Sequence, residues 1–211
     1  MIAETTPMNM IAILSCIFVT VALFYTVRFS FSREYHVHTT SGIVLITGAS
    51  SGIGRHAAIF LASAGFHVFA GVRKESDLLN FTRSNISHLY PIILDVTSDE
   101  ACFKSKVVVQ EHMKKLKLPF IALINNAGIS RSIPIEFHHL DDAKAVFDTN
   151  TFGALQLSQQ FIQLLRESKG RLIFVGSVAG KVAAPLIGLY AASKFAIEAI
   201  GDAFRRELAG K

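Results

Sequence analysis

Hydrophobic and polar positions fall into blocks along this chain. Five short apolar runs are rich in β-branched residues: "IVLIT" at 43–47, "HVFAGV" at 67–72, "YPIILDV" at 90–96, "FIALIN" at 120–125 and "RLIFVG" at 171–176. Runs of this length read as strands buried on both faces. Between them lie longer stretches with apolar residues at helical spacing: 53–64, about 74–84, 98–116, about 141–168 and 189–208. Strand alternating with helix predicts an α/β fold, a doubly wound parallel sheet covered on both faces, over 43–211. Open sheets of this kind take ligands at the carboxyl ends of their strands, so the chemistry of the chain is sought where each strand stops.

One block stands apart. Met8 to Val27 is twenty residues without a charge. As a helix this run would extend about 30 Å, the thickness of a bilayer core. A buried core helix is the competing reading, but core helices rarely lack a polar face over such a length. No lysine or arginine precedes the run, and bulky Phe29 and Phe31 follow it, so it does not fit a cleaved leader. One transmembrane anchor at 8–27 is expected, after a tail at 1–7 and before a polar connector at 28–42. Arg28 and Arg33 follow the span, which places the bulk of the chain in the cytosol by the positive-inside rule. The endoplasmic reticulum is the expected membrane, with a bacterial inner membrane as the alternative.

Composition narrows the classes further. The net charge of +5 includes no run of basic residues, so nucleic-acid binding has little support. Two cysteines, Cys16 and Cys102, make no disulfide framework and suit a reducing compartment. The histidine pairs His36/His38 and His138/His139 have no acidic or cysteine cluster beside them, so no metal site is expected.

The first strand ends in "TGASSGIG", Thr47 to Gly54. Glycines at this point allow a tight turn and let the backbone approach a pyrophosphate at the following helix N-terminus. Thr47, Gly48, Ser50, Ser51, Gly52, Ile53 and Gly54 are the candidate cofactor-binding residues, and a merely tight turn is the bland alternative. After the second strand, Val72 stands where a carboxylate would hold a ribose 2′-hydroxyl, and Arg73 and Lys74 follow. A guanidinium without that carboxylate favours a 2′-phosphate, hence NADP(H) over NAD(H). The third strand ends in Asp95 and Val96, candidates for the adenine slot; Asp95 could equally cap a turn, and Thr97 or Ser98 the next helix. The fourth ends in "INNAG", where Asn125 and Asn126 could tie loops together and Ala127 and Gly128 allow close approach to a cofactor. The fifth ends at Ser177.

Thirteen residues later come Tyr190 and Lys194, one helical turn apart and so on one face. An ammonium nearby stabilises a phenolate, which suits Tyr190 to exchange protons with a substrate alcohol or carbonyl. Ser177 would bond the same oxygen. Asn150 sits inside the 141–168 helix, where asparagine is unfavourable, consistent with a kink that supports a water chain.

In order and spacing, Thr47-Gly48-x-x-x-Gly52-x-Gly54, Asp95-Val96, Asn125-Asn126-Ala127-Gly128, Asn150, Ser177, Tyr190 and Lys194 resemble the short-chain dehydrogenase/reductase family, over roughly Ile43 to Leu208. The anchor and "VFAGVRK" are similar, more loosely, to its membrane-bound hydroxysteroid and retinol dehydrogenases. The resemblance implies a tetrad of Asn150, Ser177, Tyr190 and Lys194. In it Tyr190 is the acid/base, Lys194 lowers its pKa and holds the nicotinamide ribose, Ser177 orients the substrate, and Asn150 carries a relay water. It also implies further strands after the Tyr-Lys helix, so the domain is expected to be C-terminally incomplete. Two functions follow as expectations. One is a membrane-anchored oxidoreductase acting with NADP(H) on a lipophilic alcohol or ketone, possible as a homo-oligomer. The other is an inactive truncated member that binds cofactor or dimerises at a membrane.

Overall fold

The structure is a computed structural model that describes residues 7–30 and 41–209, with side chains in the first stretch at 10 and 12–26 only. The two stretches belong to separate units, Met1–His38 and Thr39–Lys211. The tail before Pro7, Arg33 and the His36/His38 pair lie outside the described residues, as does the side chain of Arg28.

The first unit is a helix, α1, Pro7–Ser30, which takes in the expected anchor. Every described side chain on it is exposed, Ile13, Leu14, Ile17, Phe18, Leu23 and Phe24 included. The hydroxyls of Thr20 and Thr26 donate back to the carbonyls of Cys16 and Ala22, at 2.8 and 2.9 Å. Among the described residues no helix is long and apolar enough to cross a membrane.

The second unit is a five-stranded sheet, in which β1 (Ile43–Ile46), β2 (His67–Val72), β3 (Leu89–Ile93), β4 (Phe120–Asn125) and β5 (Arg171–Phe174) match the five apolar runs. All pairings are parallel and the order is β3-β2-β1-β4-β5. The strands alternate with α2 (Gly52–Ser63), α3 (Glu75–Ser84), α4 (Asp99–Leu116), α5 (Leu140–Phe147), α6 (Gly153–Ser168) and α7 (Gly188–Glu207). β1 is buried at every position because both faces are covered. Ile43 and Leu45 share one core with Phe69, Phe120, Leu123, Cys102 and Val109 of α4, and Leu157 and Phe161 of α6. Val44 and Ile46 face the other core, with Val68, Ala70, Ala58 and Ala62 of α2, and Phe81 of α3. Two-sided burial is why these strands read as continuous apolar runs.

Two strand ends and one helix differ most from the sequence reading. β3 stops at Ile93 and β5 at Phe174, so Asp95, Val96 and Ser177 lie past the sheet in connecting backbone. The expected 141–168 helix is interrupted at Asp148–Phe152 by a π-helical turn. Such turns insert a wider hydrogen-bonding loop into a helix and recur at functional sites. Asn150 is at its centre.

Candidate active site

The strand order reverses direction between β1 and β4. Neighbouring connections leave a sheet on opposite faces at such a point, which opens a crevice at the carboxyl ends. Here that crevice is bridged by one buried hydroxyl. Thr47 is 0% exposed, and its Oγ1 accepts from the backbone N–H groups of Asn126 and Ala127, at 3.0 and 2.9 Å. Asn126 returns the tie: its Nδ2 donates to the carbonyls of Thr47 and Gly48, at 2.9 and 3.1 Å. Gly48 has φ +63°, and a Cβ there would stand 2.7 Å from Ala127 Cα; one on Gly54 would stand 2.4 Å from the Gly48 carbonyl. The turn after β1 and the loop after β4 therefore pack backbone to backbone.

The outward side of the same turn is open. A Cβ at Gly52 would meet nothing within 4 Å, Ile53 is 72% exposed, and Ser51, the N-cap of α2, makes no side-chain capping bond. Ser50 is half-buried between them. Bare backbone heading a helix, with room in front of it, fits a pyrophosphate. These residues thus suit the nicotinamide dinucleotide that the motif implies.

The loop after β4 continues into a second cluster. A Cβ on Gly128 would lie 3.3 Å from Asn150 Oδ1 and 3.8 Å from Lys194 Nζ, so the crevice ends at these two side chains. Asn150, 2% exposed, accepts from the Ile129 N–H at 2.8 Å and donates to the Ile129 carbonyl at 2.9 Å and to Ser193 Oγ at 3.0 Å. Both amide protons are committed, so the side chain braces the loop against α7. Ser193, fully buried, passes the tie on by donating to the Tyr190 carbonyl at 2.7 Å. Lys194 is 5% exposed. Its Nζ donates to the Val175 carbonyl at 2.8 Å and lies 5.7 Å from the centre of the Tyr190 ring. Burial draws the Lys194 ammonium below its ordinary range, since desolvation disfavours charge. Ser177 Oγ accepts from the Ala179 N–H at 3.1 Å and so caps the short 3-10 turn Val178–Gly180. That use of a lone pair leaves its O–H free to donate.

At the other end of the crevice, Val72 is 1% exposed, and Arg73 is the first side chain to emerge beyond β2. Asp95 Oδ1 accepts from the N–H and the hydroxyl of Thr97, at 3.0 and 2.8 Å, so it does cap a turn; Ser98 caps α4. Val96, buried, has its carbonyl held by Gln156 Nε2 and, more weakly, by Cys102 Sγ at 3.8 Å. Asn125 turns away from the crevice, donating to Ser158 Oγ of α6 at 3.0 Å. Only Asn126, of the pair, ties the nucleotide turn. Ser193 and Gln156 were not singled out from sequence. Ser193 carries one usable signal, a hydroxyl at i+3 from Tyr190 inside an apolar helix face. Gln156 carries none, because its partner lies 60 residues away.

Known proteins agree with this geometry. The family model for the short chain dehydrogenase matches residues 42–211. The chain is 34% identical over 169 residues to the NADPH-dependent 3-dehydrocapnine reductase of Ornithobacterium rhinotracheale, covering 78% of this chain and 59% of that one. It is 33% identical over 189 residues to human retinol dehydrogenase 5, covering 89% and 58%. A short-chain dehydrogenase from Streptomyces avermitilis superposes with a TM-score of 0.71 at 26% identity, covering 80% and 61%. The chain thus spans less than two thirds of each. With the glycine turn, the Thr47–Asn126 bridge and the Asn150, Tyr190 and Lys194 cluster in place, the chain belongs to the short-chain dehydrogenase/reductase family.

Proposed function

We propose that this protein is a membrane-anchored oxidoreductase that moves hydride between NADP(H) and a secondary alcohol or ketone of a lipophilic molecule. One observation carries the reading: Gly128, Asn150 and Lys194 converge at the end of the glycine-lined crevice, with Tyr190 on the same helix turn as Lys194. When bound, the nicotinamide cofactor supplies the hydride acceptor or donor. In the oxidative direction the substrate C–H bond breaks, and the proton of its O–H passes to Tyr190. Ser177, with its O–H free, donates to the same oxygen. Lys194 favours the anionic form of the phenol by its charge and holds the nicotinamide ribose. Asn150 braces the loop and supports a relay water.

Arg73, at the tip of β2 and exposed, supports NADP(H), as does the likeness to an NADPH-dependent 3-dehydrocapnine reductase. The choice of a lipophilic substrate is supported by α1, whose exposed apolar surface and self-satisfied threonine hydroxyls suit a hydrocarbon surrounding. It rests also on the likeness to a retinol dehydrogenase. A second reading, a silent member that binds cofactor or dimerises, is favoured by the edge at β5. Among the described residues β5 pairs only with β4, and Ile173 on it is 39% exposed, a surface that a second copy could cover.

The test is turnover of NADPH by the full chain in detergent micelles, offered steroids, retinals and long-chain ketones. Tyr190→Phe is expected to lower turnover by about 10²–10⁴-fold, the usual worth of a general acid/base, with NADPH affinity kept. Retained turnover in that variant removes Tyr190 from its role. NADPH binding without turnover of any substrate favours the silent reading.

A further inference from the structure

We infer that Glu198 and Lys181 form a clamp that fixes the position of Ser177, and that both are positioning residues for the substrate oxygen. The inference rests on the reading of Ser177 given above. Ser177 lies on the segment that joins β5 to α7. The sheet holds this segment only as far as Val175, whose N–H donates to the Asn125 carbonyl at 2.9 Å, and Ser177 is otherwise held by its own short turn, in which its carbonyl accepts from the Gly180 N–H at 2.9 Å; contacts with α7 fix where that turn as a whole sits.

Those contacts lie along one face of the helix. Tyr190, Lys194 and Glu198 are spaced four residues apart, which puts them in line. Lys194 Nζ takes the Val175 carbonyl at 2.8 Å. One turn on, the Glu198 side chain lies against the backbone on either side of Ser177, its carboxylate toward Gly176 and its Cγ toward Gly180. A Cβ at Gly176 would stand 2.7 Å from Glu198 Oε1, and one at Gly180 would stand 3.2 Å from Glu198 Cγ and 3.0 Å from the Lys194 carbonyl. Lys181 closes the arrangement, its Nζ 3.0 Å from Glu198 Oε2. Residues 175, 176, 180 and 181 are thus held on α7, and Ser177 is carried between them.

The lysine side chain is 69% exposed and the glutamate 35%, and a pair this open adds little to global stability. Its consequence is local. A reacting group displaced by about 1 Å can lose on the order of 100-fold in rate. Losing the clamp frees the one loop whose hydroxyl must meet the substrate oxygen, while the turn after β1 and its cofactor contacts stay in place.

The experiment uses the full chain in micelles, with NADPH and its best ketone. Glu198→Ala is expected to lower kcat about tenfold or more, through misplacement of Ser177, with NADPH Kd kept within about twofold. Glu198→Gln, which keeps the shape and a hydrogen bond to Lys181, falls between. Lys181→Glu combined with Glu198→Lys recovers kcat that either single change loses. Hydrogen exchange supplies a readout that does not need turnover: amides of 176–181 exchange about tenfold faster in Glu198→Ala, while those of β1 and β4 do not change, because opening is local. Unchanged exchange at 176–181 overturns the inference, and so does faster exchange spread across the sheet. If the wild type turns over no substrate but the local exchange change appears and the charge swap reverses it, the clamp stands and the oxidoreductase reading falls.

Discussion

Replacing Thr47 with valine keeps the shape of a side chain that is 0% exposed and deletes a single oxygen. That oxygen is the acceptor for two backbone N–H groups, of Asn126 at 3.0 Å and Ala127 at 2.9 Å. Valine offers neither an acceptor nor room for water in its place. A buried donor left unpaired costs about 1–3 kcal/mol. Asn126 and Ala127 are half-buried as residues, so the lower part of the range is taken for each, about 2–4 kcal/mol for the pair. At about 1.4 kcal/mol per tenfold, the ratio of folded to unfolded chain falls about 30- to 700-fold. With a urea slope of about 2 kcal/mol/M, the midpoint drops by about 1–2 M. Tyrosine fluorescence of the micelle-held chain follows the transition, since the protein has no tryptophan. Thr47→Ser is the control: it keeps the acceptor and loses one methyl group, about 0.8 kcal/mol. A valine midpoint equal to that of serine, or unchanged hydrogen exchange at Asn126 and Ala127, would refute the bridge as the element that joins β1 to β4.

Three further outcomes are expected. Arg73→Asp exchanges a cation at the tip of β2 for the carboxylate that repels a 2′-phosphate. The ratio of NADPH to NADH dissociation constants should then rise at least about tenfold, and an unchanged ratio removes Arg73 as the phosphate reader. His67 is held below its ordinary pKa by burial first, then by the neighbouring His88 and His112. The unfolded chain binds a proton there that the folded chain resists, so stability falls as pH drops from 6.5 through the folded value. His67→Gln should flatten the slope of the urea midpoint between pH 7 and 5, and an equal slope in both proteins counts against it. Burial pushes the Cys102 thiol up to about 11, so in a Cys16→Ser background, which removes the exposed thiol, iodoacetamide at pH 8 should label Cys102 only after unfolding; its fast labelling in the native chain would contradict the packing around Gln156.

The five strands and the helix limits were legible to within one to three residues, because their signals are local. Runs such as Ile43–Thr47 are apolar on both faces and stop at glycine or asparagine. The 141–168 stretch was legible as helical but not as interrupted. A π turn adds a residue to one loop of the helix without changing its composition, and Asn150 alone hinted at it. The residue types at the strand tips were equally legible, since glycines, Arg73, Ser177, Tyr190 and Lys194 each carry their chemistry in their side chain and their place after a strand. What those residues touch was not. Thr47 meets Asn126 across 79 positions, because β1 lies beside β4 and not beside β3. Asn150 meets Ser193 across 43, through the packing of the π turn on α7. Asn125 and Asn126 look alike in sequence, yet one faces α6 and the other the crevice, because neighbours in extended backbone point to opposite sides. Periodicity and turn chemistry act between near neighbours, so the chain alone determined its elements and the chemical kinds at their ends. Strand order and side-chain direction act between distant ones, and only the folded sheet decided which of those groups stand within reach of each other.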